Sequence, residues 1–118
     1  MSNEGPERDM RPWGYFDVLA DFPDCKVKRI VVLPGTRLSL QRHSQRDEHW
    51  FIVSGDAVVT IDGKDTRLGR GMSIDIPRTC LHRVENIGTV DLLFVEIQTG
   101  EHFGEDDIER VEDDYGRA

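Results

Sequence analysis

Apolar and polar residues alternate in short runs through the middle of the chain, and glycine or proline ends most of these runs. A period of two is typical of strands with one buried face, and residues 26–98 lack the period of about 3.6 that marks an amphipathic helix. The pattern predicts strands at residues 26–33, 37–43, 49–55, 57–62, 64–69, 72–77, 82–87 and 91–98. Many short strands joined by tight turns indicate an all-β sandwich or barrel.

The two ends of the chain differ from this pattern. Residues 1–10 are polar and predict a flexible leader, which leaves residues 11–118 as a single domain. Near the C-terminus, the segment EDDIERVE at residues 105–112 begins with three acidic residues. Acidic side chains stabilise the first turn of a helix, so a short helix or an extended tail is expected there.

Composition narrows the range of partners. The formal net charge of −8 argues against nucleic acid and against an anionic membrane surface. No apolar run approaches the roughly 20 residues of a membrane span, and the N-terminus lacks the apolar core of a signal peptide. The two cysteines, Cys25 and Cys80, occur without a Cys-x-x-Cys motif. They predict free, reduced thiols in a cytoplasmic protein. The negative charge does not exclude a small anionic ligand held by a few Lys or Arg side chains.

Alternation also places side chains that can bind a metal ion near one another. Gln41 and His43 are two residues apart on one predicted strand and therefore share a face. A turn follows, and antiparallel pairing of the next strand with the first would return Glu48 to the neighbourhood of His43. His82 begins a later strand. Nitrogen and oxygen ligands of this kind suit one divalent metal ion, with zinc as the first expectation and manganese, cobalt, nickel or iron as alternatives. Taken singly, each of these side chains would be read as exposed or structural.

The spacing of these residues resembles the two motifs of the cupin superfamily. The first motif is matched by Gly35, Gln41, His43, Glu48 and Gly55, and the second by Gly71, Pro77, His82 and Asn86. There are two departures: Gln41 stands where a histidine is usual, and Thr79 replaces a turn glycine. The resemblance implies a double-stranded β-helix, or jelly-roll barrel, with motif 1 at residues 35–55 and motif 2 at residues 71–86. It also implies that Gln41, His43, Glu48 and His82 hold the metal.

Further segments narrow the resemblance to the type II phosphomannose isomerase domain, which in many relatives follows a mannose-1-phosphate guanylyltransferase. These segments are RPWG at 11–14, KVKRI at 26–30, EHW at 48–50, EIQTG at 96–100 and GEDDI at 104–108. The likeness extends from about Arg11 to Arg117. It implies a stand-alone isomerase that interconverts mannose 6-phosphate and fructose 6-phosphate, and a homodimer.

Such a reaction needs a phosphate clamp and a base. The candidate clamp residues are Arg110, Arg11 and either Lys28 or Arg29, of which Lys28 is our choice. Glu96 is the candidate base, on the expectation that burial raises its pKa. His49 is a rival for that role, although alternation points it away from Glu48.

Two alternatives remain open at this point. The first is a metal-containing cupin that binds a sugar or sugar phosphate without catalysis. The second is a metal-dependent oxygenase, against which Gln41 counts because it stands where a histidine is usual. The predicted strand 26–33 has apolar residues on both faces, which would suit a dimer interface.

Overall fold

The computed structural model describes residues 8–117, which form eleven strands and one short turn of 3-10 helix. The strands are β1 (Arg8–Arg11), β2 (Gly14–Asp21), β3 (Cys25–Val32), β4 (Leu40–His43), β5 (Arg46–Ser54), β6 (Ala57–Ile61), β7 (Lys64–Leu68), β8 (Ser73–Ile76), β9 (His82–Asn86), β10 (Leu92–Gly100) and β11 (Ile108–Glu112). The 3-10 turn is Glu105–Asp107. The all-β prediction is confirmed, and each of the eight predicted strands has a counterpart.

The strands form two antiparallel sheets. The larger sheet has the order β1-β2-β3-β10-β5-β8, and the smaller has the order β11-β4-β9-β6-β7. Strands that are distant in sequence lie side by side, as in a jelly roll, because the chain crosses repeatedly from one sheet to the other. The β6–β7 hairpin turns at Asp62 and Gly63, which both have positive φ, as the predicted type I′ turn requires.

One predicted strand relationship is wrong. The sequence suggested that the strands carrying His43 and Glu48 pair with each other, but β4 belongs to the smaller sheet and β5 to the larger. The chain crosses between the sheets at Ser44 and Gln45. Glu48 therefore approaches His43 across the space between the sheets and not along a strand ladder. The proximity was correctly predicted, but for the wrong reason.

The C-terminal segment adopts the extended form of the two that the sequence allowed. Residues 105–112 form the 3-10 turn and then β11, which pairs antiparallel with β4. Without β11, the edge of β4 would leave backbone N–H and C=O groups unpaired, and pairing satisfies them. Residues 8–10 of the predicted flexible leader lie in β1, which pairs with β2. Residues 1–7 lie outside the described residues.

The apolar core fills one part of the space between the sheets. Trp50, Ile52 and Phe94 come from the larger sheet and meet Val59 and Val84 of the smaller. The remaining part of that space is lined by buried polar side chains, and Ile108 and Arg110 of β11 contribute to its lining. Within residues 8–117 no helix has the length and apolar character needed to cross a bilayer.

Candidate functional site

A polar cavity lies between the sheets and contains every residue that the sequence assigned to the metal, the base and the clamp. Its lining includes the four predicted metal ligands Gln41, His43, Glu48 and His82, the predicted base Glu96, and the predicted clamp residues Lys28 and Arg110. β4 and β9 contribute ligands from one sheet, while β5, β10 and β3 contribute residues from the other. Alternation along the strands aims these side chains inward.

Three of the predicted metal ligands form a tight, buried cluster. One ligand atom from each of His43, Glu48 and His82 lies within 4.8 Å of the others. Nε2 of His43 is 3.3 Å from Oε2 of Glu48, and Nε2 of His82 is 3.9 Å from Oε1 of the same carboxyl group. Gln41 is directly opposite His82 in the β4–β9 pairing and lines the same cavity.

Both histidines in this cluster are held neutral. Burial lowers the pKa of His43 to about 3, helped by the positive charge of Arg46. Burial also lowers the pKa of His82. Nδ1 of His82 lies 3.0 Å from the carbonyl oxygen of Cys80. Because a carbonyl only accepts, Nδ1 carries the proton and Nε2 presents a lone pair to the cluster.

The donor set fits a divalent cation. Two neutral imidazoles and one carboxylate, with an amide oxygen beside them, are ligands suited to zinc and its neighbours in the first transition row. The proton on Nδ1 of His82 leaves Nε2 free for such a metal. Nδ1 of His43 is buried without a hydrogen-bond partner among the described residues.

Arg46 is a buried residue of the cavity that sequence reasoning missed. Its side chain is 3% exposed, and its Nε donates to Oε2 of Glu48 at 2.9 Å. Nη1 donates to the carbonyl oxygen of Phe103, and Nη2 lies 3.4 Å from Nε2 of His43. The signal was available, because Arg46 is two residues before Glu48 and so shares its face. The predicted strand began too late to include it.

Trp50 links the His43–Glu48–His82 cluster to the candidate base. Its indole Nε1–H lies 3.1 Å from Oε1 of Glu48 and 3.0 Å from Oε2 of Glu96 and donates towards both. Gln98, on the same face of β10, donates to the other oxygen of Glu96. The two buried carboxyl groups are therefore held side by side in a fixed arrangement.

The pKa values of Glu48 and Glu96 are shifted in opposite directions. Burial, and then the negative charge of Glu96, raise the pKa of Glu48 well above its ordinary value. Burial acts on Glu96 in the same direction, but Lys28 and the hydrogen bonds to Glu96 outweigh it, and the pKa of Glu96 is lowered. The expectation that burial raises the pKa of Glu96 is therefore wrong. Lys28 faces Glu96 across the β3–β10 ladder and reverses the direction.

The structure also shows which of the neighbouring residues Lys28 and Arg29 on β3 faces the cavity. Lys28 is 4% exposed and faces the cavity, where its Nζ lies 4.2 Å from the centre of the Phe16 ring. Arg29 faces outward and lies 3.6 Å from Asp17.

The mouth of the cavity carries several charges. Arg11, Arg110 and Arg117 line it together with Lys28 and Glu105. Nε of Arg110 is buried without a hydrogen-bond partner in the described part of the chain. Arg117 is held by Asp113, four residues before it. A group of cations at a partly enclosed opening favours an anionic ligand.

The two remaining histidines and both cysteines lie apart from this cavity. His49 is on the outer face of β5, with Nδ1 2.6 Å from Oδ1 of Asp75, and so does not compete with Glu96 as base. His102 pairs with the exposed Asp106. Cys25 and Cys80 are both free thiols, as predicted.

Comparisons with known proteins agree with the cupin interpretation. Residues 3–113 match the family described as "Mannose-6-phosphate isomerase C-terminal". The alginate biosynthesis protein AlgA of Pseudomonas aeruginosa is 50% identical over 108 residues, which are 92% of this chain and 22% of that protein. A mannose-1-phosphate guanylyltransferase of Escherichia coli is 46% identical over 92% of this chain and 23% of its own length.

Solved structures support the fold. The cupin domain of Schizosaccharomyces pombe Cnp3 aligns with a TM-score of 0.71 at 16% identity, over 73% of this chain and 64% of that one. The predicted cupin double-stranded β-helix is thereby confirmed. The chain spans about a fifth of the length of the curated relatives that it matches. On the family match and these identities, the chain belongs to the family of mannose-6-phosphate isomerase C-terminal domains.

Proposed function

We propose that this domain is a metal-dependent isomerase that interconverts mannose 6-phosphate and fructose 6-phosphate. The observation that carries the proposal is the sharing of one cavity by the His43–Glu48–His82 cluster, the Glu96 carboxyl group and the cations at the mouth. An aldose–ketose isomerase needs these three parts: an electrophile, a base and an anchor for the phosphate. Membership of the family supports the same reaction.

His43, Glu48 and His82 would hold the metal ion, with Gln41 as a fourth ligand. When bound, a divalent metal, for which zinc is our first choice, would supply a Lewis acid for the sugar oxygens. The protein contributes neutral imidazoles whose orientation is fixed, for His82, by the carbonyl of Cys80. Trp50 fixes Glu48 relative to Glu96 through its indole N–H.

Glu96 would move the proton. Its lowered pKa keeps it ionised at neutral pH, ready to accept a proton from C2 of the aldose. Returning that proton to C1 of the resulting enediol gives the ketose, while the hydroxyl proton passes from the oxygen of C2 to that of C1. Because substrate and product are isomers, the reaction needs no co-reactant. The hydrogen bonds from Trp50 and Gln98 hold the carboxylate in place during both transfers.

Lys28, Arg11 and Arg110 would bind the phosphate. Lys28 and Arg11 lie over the same Phe16 ring, with ring-centre distances of 4.2 Å and 4.9 Å. Arg110 brings a buried Nε–H that lacks a partner among residues 8–117, and an unpaired buried donor is a favourable site for a phosphate oxygen.

The test is a coupled assay for fructose 6-phosphate formed from mannose 6-phosphate. The protein is first chelated and then reloaded with Zn²⁺, Mn²⁺, Co²⁺ or Ni²⁺. We expect turnover to return with metal and to be lost in His43→Ala together with the bound metal. His49→Ala is the matched control, since His49 is on the outer face of the same region and should retain both. A protein that binds metal but shows no turnover with any of them would contradict the isomerase.

A second candidate function is a module that binds a sugar phosphate without catalysis. The position of Arg46 favours it, because the guanidinium donates to Glu48 and also lies 3.4 Å from Nε2 of His43, where it competes with a cation. In that case the chelated protein should bind mannose 6-phosphate as tightly as the metal-loaded protein does. Isothermal titration calorimetry on the two preparations distinguishes these functions.

We also propose that the domain forms a homodimer in the cytoplasm. The outer face of β5 and β10 exposes Phe51, Val53 and Ile97, which are 45%, 39% and 39% exposed. An apolar face of this kind is a common site of association. The patch lies on β5 and β10 and not on β3, because Val31 of β3 is already buried within the chain. Light scattering of Phe51→Lys against the unaltered protein tests the dimer.

A further inference from the structure

The 3-10 turn at the cavity mouth brings a carboxylate against the cations assigned to the phosphate. Oε1 of Glu105 is 3.5 Å from Nη2 of Arg11, and Oε2 is 3.9 Å from Nζ of Lys28. Glu105 lines the cavity, but its side chain is 44% exposed. One carboxylate thus faces both of the cations that lie over the Phe16 ring.

The turn itself is firmly attached, whereas the Glu105 side chain is not. Asp107 accepts hydrogen bonds from the Ser44 hydroxyl at 2.7 Å and from the Gln45 backbone N–H at 2.9 Å. Asp106 pairs with His102 at 2.7 Å. The Glu105 carboxylate takes part in no hydrogen bond among the described residues, and only charge attraction holds it at the mouth. Both ion pairs are long and involve a partly exposed carboxylate, and such pairs are weak and readily exchanged.

We propose that Glu105 is an internal competitor for the phosphate of the ligand. Its carboxylate must leave Arg11 and Lys28 before a phosphomonoester can bind both cations, and it returns to them when the phosphorylated product leaves. The affinity for any anionic ligand group is reduced by this exchange, while a neutral sugar is unaffected. This inference rests on the proposed function, because it takes the phosphate-binding role of Arg11 and Lys28 from it.

The consequence for kinetics follows from where the competition acts. Glu105 opposes the phosphate equally in the bound substrate and in the transition state, since the phosphate does not react. Removing its charge should therefore lower KM and leave kcat unchanged. In the unaltered protein, phosphate binding must break the two weak ion pairs of Glu105. A variant without this charge avoids that cost, so we expect its affinity for phosphate to be about fivefold higher.

The test is calorimetric titration of inorganic phosphate and of mannose 6-phosphate into three proteins: the unaltered protein, Glu105→Gln and Asp106→Asn. Both variants remove one negative charge from the same turn, but Asp106 is not part of the cavity lining. We expect Glu105→Gln alone to bind both ligands about fivefold more tightly. Thermal unfolding of each protein confirms that the fold is kept.

Each other outcome overturns the proposal in a recognisable way. Unchanged binding by Glu105→Gln would show that Glu105 does not compete with the phosphate, and weaker binding would show that it supports the cations. In both cases the proposed function would stand. If Asp106→Asn bound the ligands as tightly as Glu105→Gln, the effect would come from the net charge of the turn and not from the position of Glu105. No binding of either ligand by any of the three proteins would overturn the competitor and the proposed phosphate site together.

Discussion

Lys28 and Glu96 lie directly opposite each other on β3 and β10, and both side chains are buried in the cavity. Lys28 is the principal charge that keeps the pKa of Glu96 low in spite of burial. A buried charge that loses its compensating neighbour is costly, so the stability of the domain and the state of its candidate base depend on the same pair.

The first prediction concerns this pair. Lys28→Met keeps the aliphatic length over Phe16 but removes the charge, and we expect the free energy of unfolding to fall by about 2 kcal/mol. Adding Glu96→Gln should recover part of that loss, because the uncompensated carboxylate is then gone. Denaturant unfolding of the single and double variants measures the coupling.

The neighbouring residue provides the control for that cycle. Arg29 is on the outer face of β3 in a loose pair with Asp17, and Arg29→Met should cost less than about 1 kcal/mol. If Lys28→Met lowered the free energy of unfolding as much in the Glu96→Gln background as in the unaltered protein, Lys28 and Glu96 would not be coupled.

The second prediction concerns catalysis. Glu96→Gln preserves the shape of the base, but its amide accepts only one of the hydrogen bonds from Trp50 and Gln98 and cannot accept the proton. We expect kcat to fall by about 1,000-fold, within the range for loss of a general base. The metal content measured on the purified variant should be unchanged, because Glu96 is not in the ligand cluster.

Glu109→Gln is the matched control for this variant. Glu109 is exposed and pairs with Arg42 away from the cavity lining, so its substitution should leave kcat unaltered. Full activity in Glu96→Gln would assign the proton transfer to another group.

The candidate metal ligands could be brought together from the sequence because the spacing within each motif is local. Alternation placed Gln41 and His43 on one face, and the motif spacing supplied Glu48 and His82. Neither source says which strands share a sheet. The pairing of the strands that carry His43 and Glu48 was therefore predicted wrongly, although both side chains do meet in the cavity.

Two departures from the sequence predictions arise from interactions between segments far apart in the chain, whereas the omission of Arg46 was local. The acidic start of residues 105–112 favoured a helix, but the free edge of β4 draws these residues into β11. The pKa of Glu96 was expected to rise, since the register that places Lys28 opposite it cannot be read from composition. Arg46 was missed by starting one strand three residues late.

The third prediction uses the departure from the cupin motif at Thr79. Thr79 has a φ of 71°, a left-handed conformation that is strained for a β-branched residue. Thr79→Gly should therefore raise the free energy of unfolding by about 1 kcal/mol. Its backbone N–H donates to the carbonyl oxygen of His43 at 2.6 Å, a bond that glycine retains.

The reverse substitution at another turn gives the comparison. Gly63 has a φ of 82° and open space where a Cβ would lie. Gly63→Ala should lower stability by about 1 kcal/mol through backbone strain alone. Denaturant unfolding that moved both variants in the same direction would contradict the strain argument.

The fourth prediction concerns pH and the C-terminal segment. Hydrogen bonds from Arg117, stronger than the effect of burial, lower the pKa of Asp113 from 3.8 to about 2. A carboxylate whose folded pKa is depressed adds stability above its unfolded pKa, and this stability is lost as pH falls through the folded value. The contribution should be complete above about pH 4, amount to about 1 kcal/mol with allowance for the partly exposed Arg117, and disappear towards pH 2.

Asp113→Asn should lack this contribution, so the unfolding free energies of the two proteins should differ at pH 6 and converge as the pH approaches 2. A constant difference across that range would show that Asp113 acts through packing and not through its charge.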